Sequence, residues 1–341
     1  MTRGSTALPA ALATLAVSAA LGAAVAEMAR LEVVLAEQRR AAGVALAACD
    51  ACAAEVVAAL PVGWDFTPLL AGPDGRTGTA DDGALTTPAG CTGSAGAAPG
   101  PADPPRALLR LEARAGGGRR VLEALVGRDR APGIPALLWL GAAPGADVSG
   151  TVTLDGADAD GASAPDSAGL GAPDDPDALD RWLAGEGPRV VSSARTLPAL
   201  HSPPPPLVAL AARVRAAGPR GREALVPTGT PPPSLALVQG DLVVSETLSG
   251  AGLLFVDGLL DIRGALDFTG VVVAAGGVRI AGAGRLAIGG ALWVGAPAAG
   301  GPLLDVAGSL ALHQQSTAIA TADRLLVLPR RPVLLGVRDL G

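Results

Sequence analysis

Lysine, asparagine and tyrosine are absent from this 341-residue chain. The codons of all three are rich in A and T, so their joint absence marks a GC-rich gene rather than a function. Apart from two histidines, the basic side chains are all arginine. Net charge is −6 and no basic cluster occurs, which argues against a nucleic-acid partner. Aromatic residues are only 2 % of the chain, so large core anchors are few. Histidine occurs only at His201 and His313, and cysteine at Cys49, Cys52 and Cys91. A zinc site built on the cysteines would be short of nearby ligands. No G-x-S-x-G, Gly-rich phosphate loop or H-E-x-x-H is present, so the chain has no familiar nucleophile, nucleotide or zinc-protease motif.

Small residues and turn formers are abundant. Hydrophobic residues make up 49 % of the chain, with Ala and Leu dominant. The 47 glycines and 30 prolines make roughly a fifth of it, against a usual ~12 %. Such a chain has many turns. Its length leaves room for two domains beyond an N-terminal helix.

The N-terminal sixty residues read as one helix with two different halves. Arg3 precedes a run without charge from Gly4 to Ala26. About 20 apolar residues suffice to span a bilayer as a helix. A single positive charge before the run favours a cytoplasmic N-terminus and an external body. Pro9 falls early, where a helix tolerates it. The second half carries an apolar or small stripe at Met28, Leu31, Leu35, Ala42, Ala45, Cys49, Cys52, Val56 and Ala59. Its spacing of three and four is heptad-like and defines a packing face. Glu27, Arg30, Glu32, Glu37, Arg39 and Arg40 mostly occupy the other positions, where weak helical ion pairs form. The stripe fits either the protein's own body or neighbouring subunits. From Leu8 to Leu60 such a helix is about 80 Å long. A rival reading is a secretory signal peptide, because Ala24-Val25-Ala26 before Glu27 fits the A-x-A cleavage rule.

Cys49 and Cys52 form a C-x-x-C pair inside this helix, without the βαβ context of a thioredoxin-like motif. Three readings stand: redox or metal chemistry, a disulfide from Cys91 to one of the helix cysteines in an oxidising compartment, or small helix residues with free thiols. After the helix, Trp64, Phe66, Leu69 and Leu70 are expected to plug the join with the body. Asp74, Asp81 and Asp82 alternate with Gly75, Gly78 and Gly83. Carboxylates so placed can wrap a calcium ion, or they simply make a Gly/Asp turn. Asp155, Asp158, Asp160 and Asp166 form a second acidic stretch that lacks the closing Glu of an EF-hand.

Residues 84–105 read as a flexible Gly/Ala/Pro/Thr linker. Residues 107–130 read as strands or a short helix, and IPALLWL (134–140) as a buried strand. GTVTLDG (150–156) reads as a strand ending in a turn. Residues 174–185 read as a short helix with Trp182 inward. Pro203–Pro206 is expected to be extended, and the segment from Leu207 helical.

A repeat follows. Gly240, Gly258 and Gly276 are eighteen residues apart, and Gly258, Gly264, Gly270, Gly276 and Gly282 are six apart. Apolar residues alternate between them: Leu260 and Ile262, Leu266 and Phe268, Val278 and Ile280, Leu286 and Ile288. Alternation marks short strands with one inward face, and the glycines mark tight corners. Rungs of about eighteen residues stacking on one another form a β-solenoid, here of three to four rungs with irregular ends. The expected fold is α+β. It has an N-terminal helix (1–60), a Gly/Pro-rich α+β body (61–232), a β-solenoid (233–328) and a C-terminal tail (329–341).

Arg3-Gly4-Ser5 before the apolar run, and then MARLEVVLAEQRRAAGVALAACDACAAEVVAAL, resemble the N-terminal domain of PilX-type pilus-assembly proteins. They are also similar to K-type minor pseudopilins of type II secretion. The stretch from GTPPPSLALVQGDL through FTGVVVAAG resembles the C-terminal part of PilX-like proteins. The resemblance covers about half of the chain and implies a prepilin peptidase cut after Gly4, leaving Ser5 as the new N-terminus. Major pilins mostly begin with Phe or Met and carry Glu at the fifth position, where this chain has Ser5 and Pro9. Tip-type minor pseudopilins share the missing Glu, so the departure fits a minor component. The implied protein is non-enzymatic and needs no cofactor, calcium at the acidic loop apart. It is held in the inner membrane by one span, with its body periplasmic or on a surface filament. Its partners are the membrane and other pilin-like subunits. The alternative is a secreted or surface solenoid, adhesin-like, with a cleaved signal peptide. A hexapeptide-repeat acyltransferase would need a catalytic histidine at a rung edge, whereas His313 lies in the ragged end of the repeat and His201 outside it.

Overall fold

The computed structural model describes residues 7–72, 76–99, 105–134, 136–141, 146–157, 159–160, 170–172, 190–192, 199–201, 205–227, 229, 231–295 and 302–340. The expected fold class holds: a long N-terminal helix, a mixed α/β middle and a C-terminal β-solenoid.

Helix α1 runs from Ala7 to Ala59, 53 residues, or about 80 Å at 1.5 Å per residue. Pro9 lies in its first turn, where no intrahelical N–H is needed. Pro61 ends it, because a proline disfavours helical geometry in the residue before it. A one-turn helix, α2 (Thr67–Leu70), follows. Strands β1 (Cys91–Ala97), β2 (Arg106–Ala115) and β3 (Gly118–Pro132) form an antiparallel meander. Gly116 and Gly117, both at positive φ, make the two-residue turn between β2 and β3, as such hairpins require. β1 begins within the expected linker, its Thr92, Ser94 and glycines pairing residue by residue with β2.

The fourth strand of this sheet is Arg330–Asp339, antiparallel to β3. These residues read as a tail in the sequence. They are instead the closing edge of the N-terminal body, with register shifts at Arg330/Pro332 and Leu334/Gly336. One sheet face packs under α1: Leu109, Leu111, Leu122, Ala124 and Val126 are buried against Cys49, Cys52, Ala53 and Val56. Gly118 permits the close approach, since a Cβ there would lie 2.4 Å from the Ala41 carbonyl oxygen.

After β3 the chain enters the solenoid. β4 (Leu138–Leu140), β5 (Ala146–Val148) and β6 (Thr151–Asp155) form one rung. β7 (Leu170–Ala172), β8 (Val190–Ser192) and β9 (Ala199–His201) extend the stack beyond it. Helix α3 (Leu207–Ala216) then runs along the outside. The C-terminal rungs follow with β10 (Ser234–Val238), β11 (Leu242–Val244), β12 (Thr247–Val256), β13 (Leu260–Ile262), β14 (Ala265–Ala274), β15 (Val278–Ile280), β16 (Arg285–Val294), β17 (Leu304–Val306) and β18 (Ser309–His313). Helix α4 (Ser316–Leu325) leads back to the body.

All solenoid pairings between these strands are parallel. Leu235 stacks on Leu253 and Leu253 on Val271, an offset of eighteen residues. The offset grows to twenty at Val271/Ala291 and to twenty-four at Arg285/Ser309. β16, β17 and β18 then pair with β4, β5 and β6, respectively. Residues 138–155, expected in the separate α+β body, thus continue the C-terminal stack in space although they precede it in sequence. Two glycine columns mark corners. Gly258 N–H donates to the Gly240 carbonyl at 3.0 Å, and Gly276 to Gly258 at 3.0 Å. Gly252, Gly270 and Gly290 form another column at positive φ. A Cβ on Gly270 would lie 1.9 Å from the Gly252 carbonyl oxygen.

The alternating residues fill the solenoid interior: Leu260, Ile262, Leu266, Phe268, Val278, Ile280, Leu286 and Ile288 are all buried in one core. Burial of such side chains contributes roughly 1.5–3 kcal/mol each. A second core lies outside one solenoid face. Leu253, Phe255, Val271, Val273 and Trp293 point outward under Leu210 and Val214 of α3 and Ile319 and Ala322 of α4. Segments such as LLFV and VVVA are therefore apolar on both sides, as covered parallel strands are.

Candidate assembly interface on the N-terminal helix

The apolar stripe of α1 divides between two environments. Its C-terminal part packs on the protein's own sheet: Ala45, Cys49, Cys52 and Val56 are buried. Ala53 is buried with them, and Ala59 at the stripe's end is exposed. The N-terminal part has no cover. Every residue from 11 to 40 is exposed, including Leu15 at 70 %, Met28 at 67 %, Leu31 at 54 % and Leu35 at 49 %. This exposed stretch of thirty helical residues is about 45 Å long. By length and composition α1 is apolar enough to cross a membrane, and none of its apolar window is buried. The charged positions of the stalk also face solvent. Glu27 and Arg30 approach at 4.0 Å across one turn, a contact worth only a few tenths of a kcal/mol.

Two devices fix α1 to its seat. A disulfide joins Cys52 to Cys91 at the start of β1. Among the three cysteine readings, the structure thus contains the link from Cys91 to the helix. By chain entropy, closing a loop of this 39-residue separation contributes about 4 kcal/mol. Cys49 is the remaining free thiol, fully buried, and its Sγ lies 3.6 Å from the Leu111 carbonyl oxygen. Burial pushes this thiol up from its ordinary pKa, which keeps it protonated and inert.

The second device lies past the helix end. Phe66 is buried in the core under α1, with Leu69 and Leu70 packed beside it, as expected of a plug. Trp64 turns the other way and packs on the outer solenoid core, its indole N–H donating to the Val327 carbonyl at 2.7 Å. Arg128 lies over the Phe66 ring at 4.1 Å and donates to the carbonyls of Pro61 at 2.7 Å and Arg330 at 3.3 Å. Burial pulls its pKa down to about 10, so it stays charged at neutral pH. Arg330 pairs with Asp323 of α4 at 2.9 Å. The stalk is therefore braced to both the sheet and the solenoid. No sequence pattern marked Arg128, whose partners are distant backbone carbonyls, or Arg330, whose side chain pairs with Asp323.

The chain matches no family model, no curated protein and no solved structure. The stalk and its seat are thus known from their own geometry.

Gly4, Ser5 and Asp74 lie outside the described residues, as do Asp158, Asp166 and Trp182. Asp81 and Asp82 are described, and their carboxylates serve a tight turn. Asp82 accepts from the Gly78 N–H at 2.6 Å and the Thr79 N–H at 3.2 Å. The Thr79 hydroxyl donates to Asp81 at 2.8 Å. The Gly78 N–H holds the Asp82 carboxyl below the usual carboxylate range. This is the Gly/Asp turn geometry. Asp160 accepts from the Thr317 N–H at 2.9 Å and hydroxyl at 2.7 Å, fastening its loop to the first turn of α4. Asp155 and His313 approach at 3.7 Å on neighbouring rungs. Among the described residues, no three His, Cys, Asp or Glu side chains are grouped to hold a metal ion.

Proposed function

We propose that the chain is a non-enzymatic, minor pilin-like component of a type IV pilus or a related assembly machine. In this reading the apolar first half of α1 crosses the inner membrane with its N-terminus in the cytoplasm. The stalk from Glu27 to Arg40 packs against the helices of neighbouring subunits. The sheet and solenoid stand in the periplasm or at a filament tip as a rigid docking or display module.

One observation carries the reading. Thirty consecutive helical residues, many of them apolar, are exposed outside a body that is already well packed. Contiguous exposed apolar surface of that extent marks contact with a membrane or a protein. A secreted solenoid cut after Ala26 is the second reading. It removes the most apolar half but leaves Met28, Leu31 and Leu35 uncovered, which favours the first.

The mature N-terminus of protein from native membranes, read by mass spectrometry, separates the two. Ser5 is expected, through a cut after Gly4. Glu27 as the first residue would establish the secreted form and sink the pilin-like reading.

A further inference from the structure

A cleft of about 430 Å³ opens where the segment after α1 meets α3. One wall carries the Trp64 and Phe66 rings, and the other is formed by Pro206, just before α3, with Ala209 and Arg213 of α3. Ala209 and Arg213 are one turn apart on α3, and with Pro206 before them this wall is about 10 Å long. The cleft is thus elongated and mainly apolar, with two arginines set on two rings: Arg128 over Phe66 and Arg213 over Trp64, each at 4.1 Å.

The two arginines differ in what they have left to offer. Arg128 gives its terminal N–H groups to the carbonyls of Pro61, Asp65 and Arg330. Arg213 has no carboxylate partner among the described residues, and its contact is the Trp64 ring. A stacked guanidinium uses its face, while its donors lie in the plane and stay open at the edge. Asp65, the acid on the cleft wall, accepts from the Thr67 N–H at 3.0 Å and lies beside Arg128. An open planar donor fork on an apolar floor is complementary to a carboxylate next to an apolar group. Proline and indole surfaces along an elongated groove suit extended peptide.

We propose that this cleft binds an extended segment of a partner protein in which an acidic residue is flanked by apolar ones. The carboxylate sits on the outer edge of Arg213, and the flanking side chains lie on Trp64, Pro206 and Ala209. Because one wall belongs to the helix–sheet body and the other to the solenoid, a bound segment clamps the two together. The proposal stands apart from the reading of α1, since it uses none of the stalk.

The test uses the full chain in detergent and two fluorescent peptides, acetyl-Pro-Leu-Asp-Leu-Pro-amide and its Asn counterpart, followed by anisotropy. The Asp peptide is expected to bind saturably and about tenfold more tightly than the Asn peptide, the scale of one charge-assisted pair. Arg213→Gln should erase that preference. Arg215→Gln should keep it, because Arg215 is paired with Asp257 at 2.6 Å and does not line the cleft. Equal binding of both peptides, binding of neither, or an Asp preference that survives in Arg213→Gln overturns the proposal.

Discussion

Phe268→Asp is expected to unfold the solenoid at room temperature. Phe268 is 4 % exposed and stands in a column with Gly250 on one side and Ile288, Leu312 and Leu154 on the other. Gly250 leaves the space its ring occupies, because a Cβ there would lie 2.5 Å from the ring. Truncating a buried Phe costs about 3–5 kcal/mol. An unpaired buried carboxylate adds several more. The sum rivals the whole stability of a typical domain, about 5–15 kcal/mol. Rungs depend on their neighbours, so the loss should spread to 138–155. Circular dichroism of the full chain would show a lost β transition for Phe268→Asp, whereas Ile288→Val should shift the melt only slightly. An unaltered melt for Phe268→Asp would mean that this residue faces outward.

The second large effect concerns the proposed membrane anchor. Leu15→Arg is expected to move the protein out of the membrane fraction or prevent its insertion. Leu15 is 70 % exposed on the free part of α1, so no protein contact is lost in the isolated chain. An arginine near the bilayer centre costs roughly 3 kcal/mol or more, a factor of over a hundred in partitioning. The body, attached through Ala45 to Leu60, should keep its melting behaviour. Membrane retention equal to the parent chain, after alkaline extraction, would contradict the span.

The solenoid interior was legible because two local signals coincide there, alternation and a glycine every six residues. These glycines are corners of three-sided rungs, and the regular spacing ends where longer rungs add residues near Gly282. Strands such as Leu253–Val256 lack alternation because α3 and α4 cover their outer face. The rung at 138–155 could not be placed from local pattern, since its partners, Leu292–Val294, Leu304–Val306 and Ser309–His313, lie some 150 residues later. The same distance effect hid the C-terminal strand, whose partner β3 is about 200 residues earlier.

The site was legible only in part. A helical stripe records that a face is apolar and not what covers it. The division near Ala45 falls where α1 passes the β2–β3 turn, at which Gly116 lies against Val44 and Gly118 against the Ala41 carbonyl. The cysteine pairing needed the placement of β1, which a Gly/Ala-rich segment does not announce. The alternation of Gly and Asp at residues 72–83 fits turn and cation loop alike. In the described part Asp81 and Asp82 accept hydrogen bonds within a turn.

The most direct test of the stalk as an assembly interface is site-specific photo-cross-linking in native membranes. A photoreactive residue would replace Leu31 or Leu35, with Val208 as a control that is 88 % exposed on α3. Adducts with a second envelope subunit are expected from both stalk positions and not from Val208. Stalk positions that give no protein adduct, in protein shown to be folded and membrane-bound, would contradict the proposed packing of α1 against neighbouring subunits.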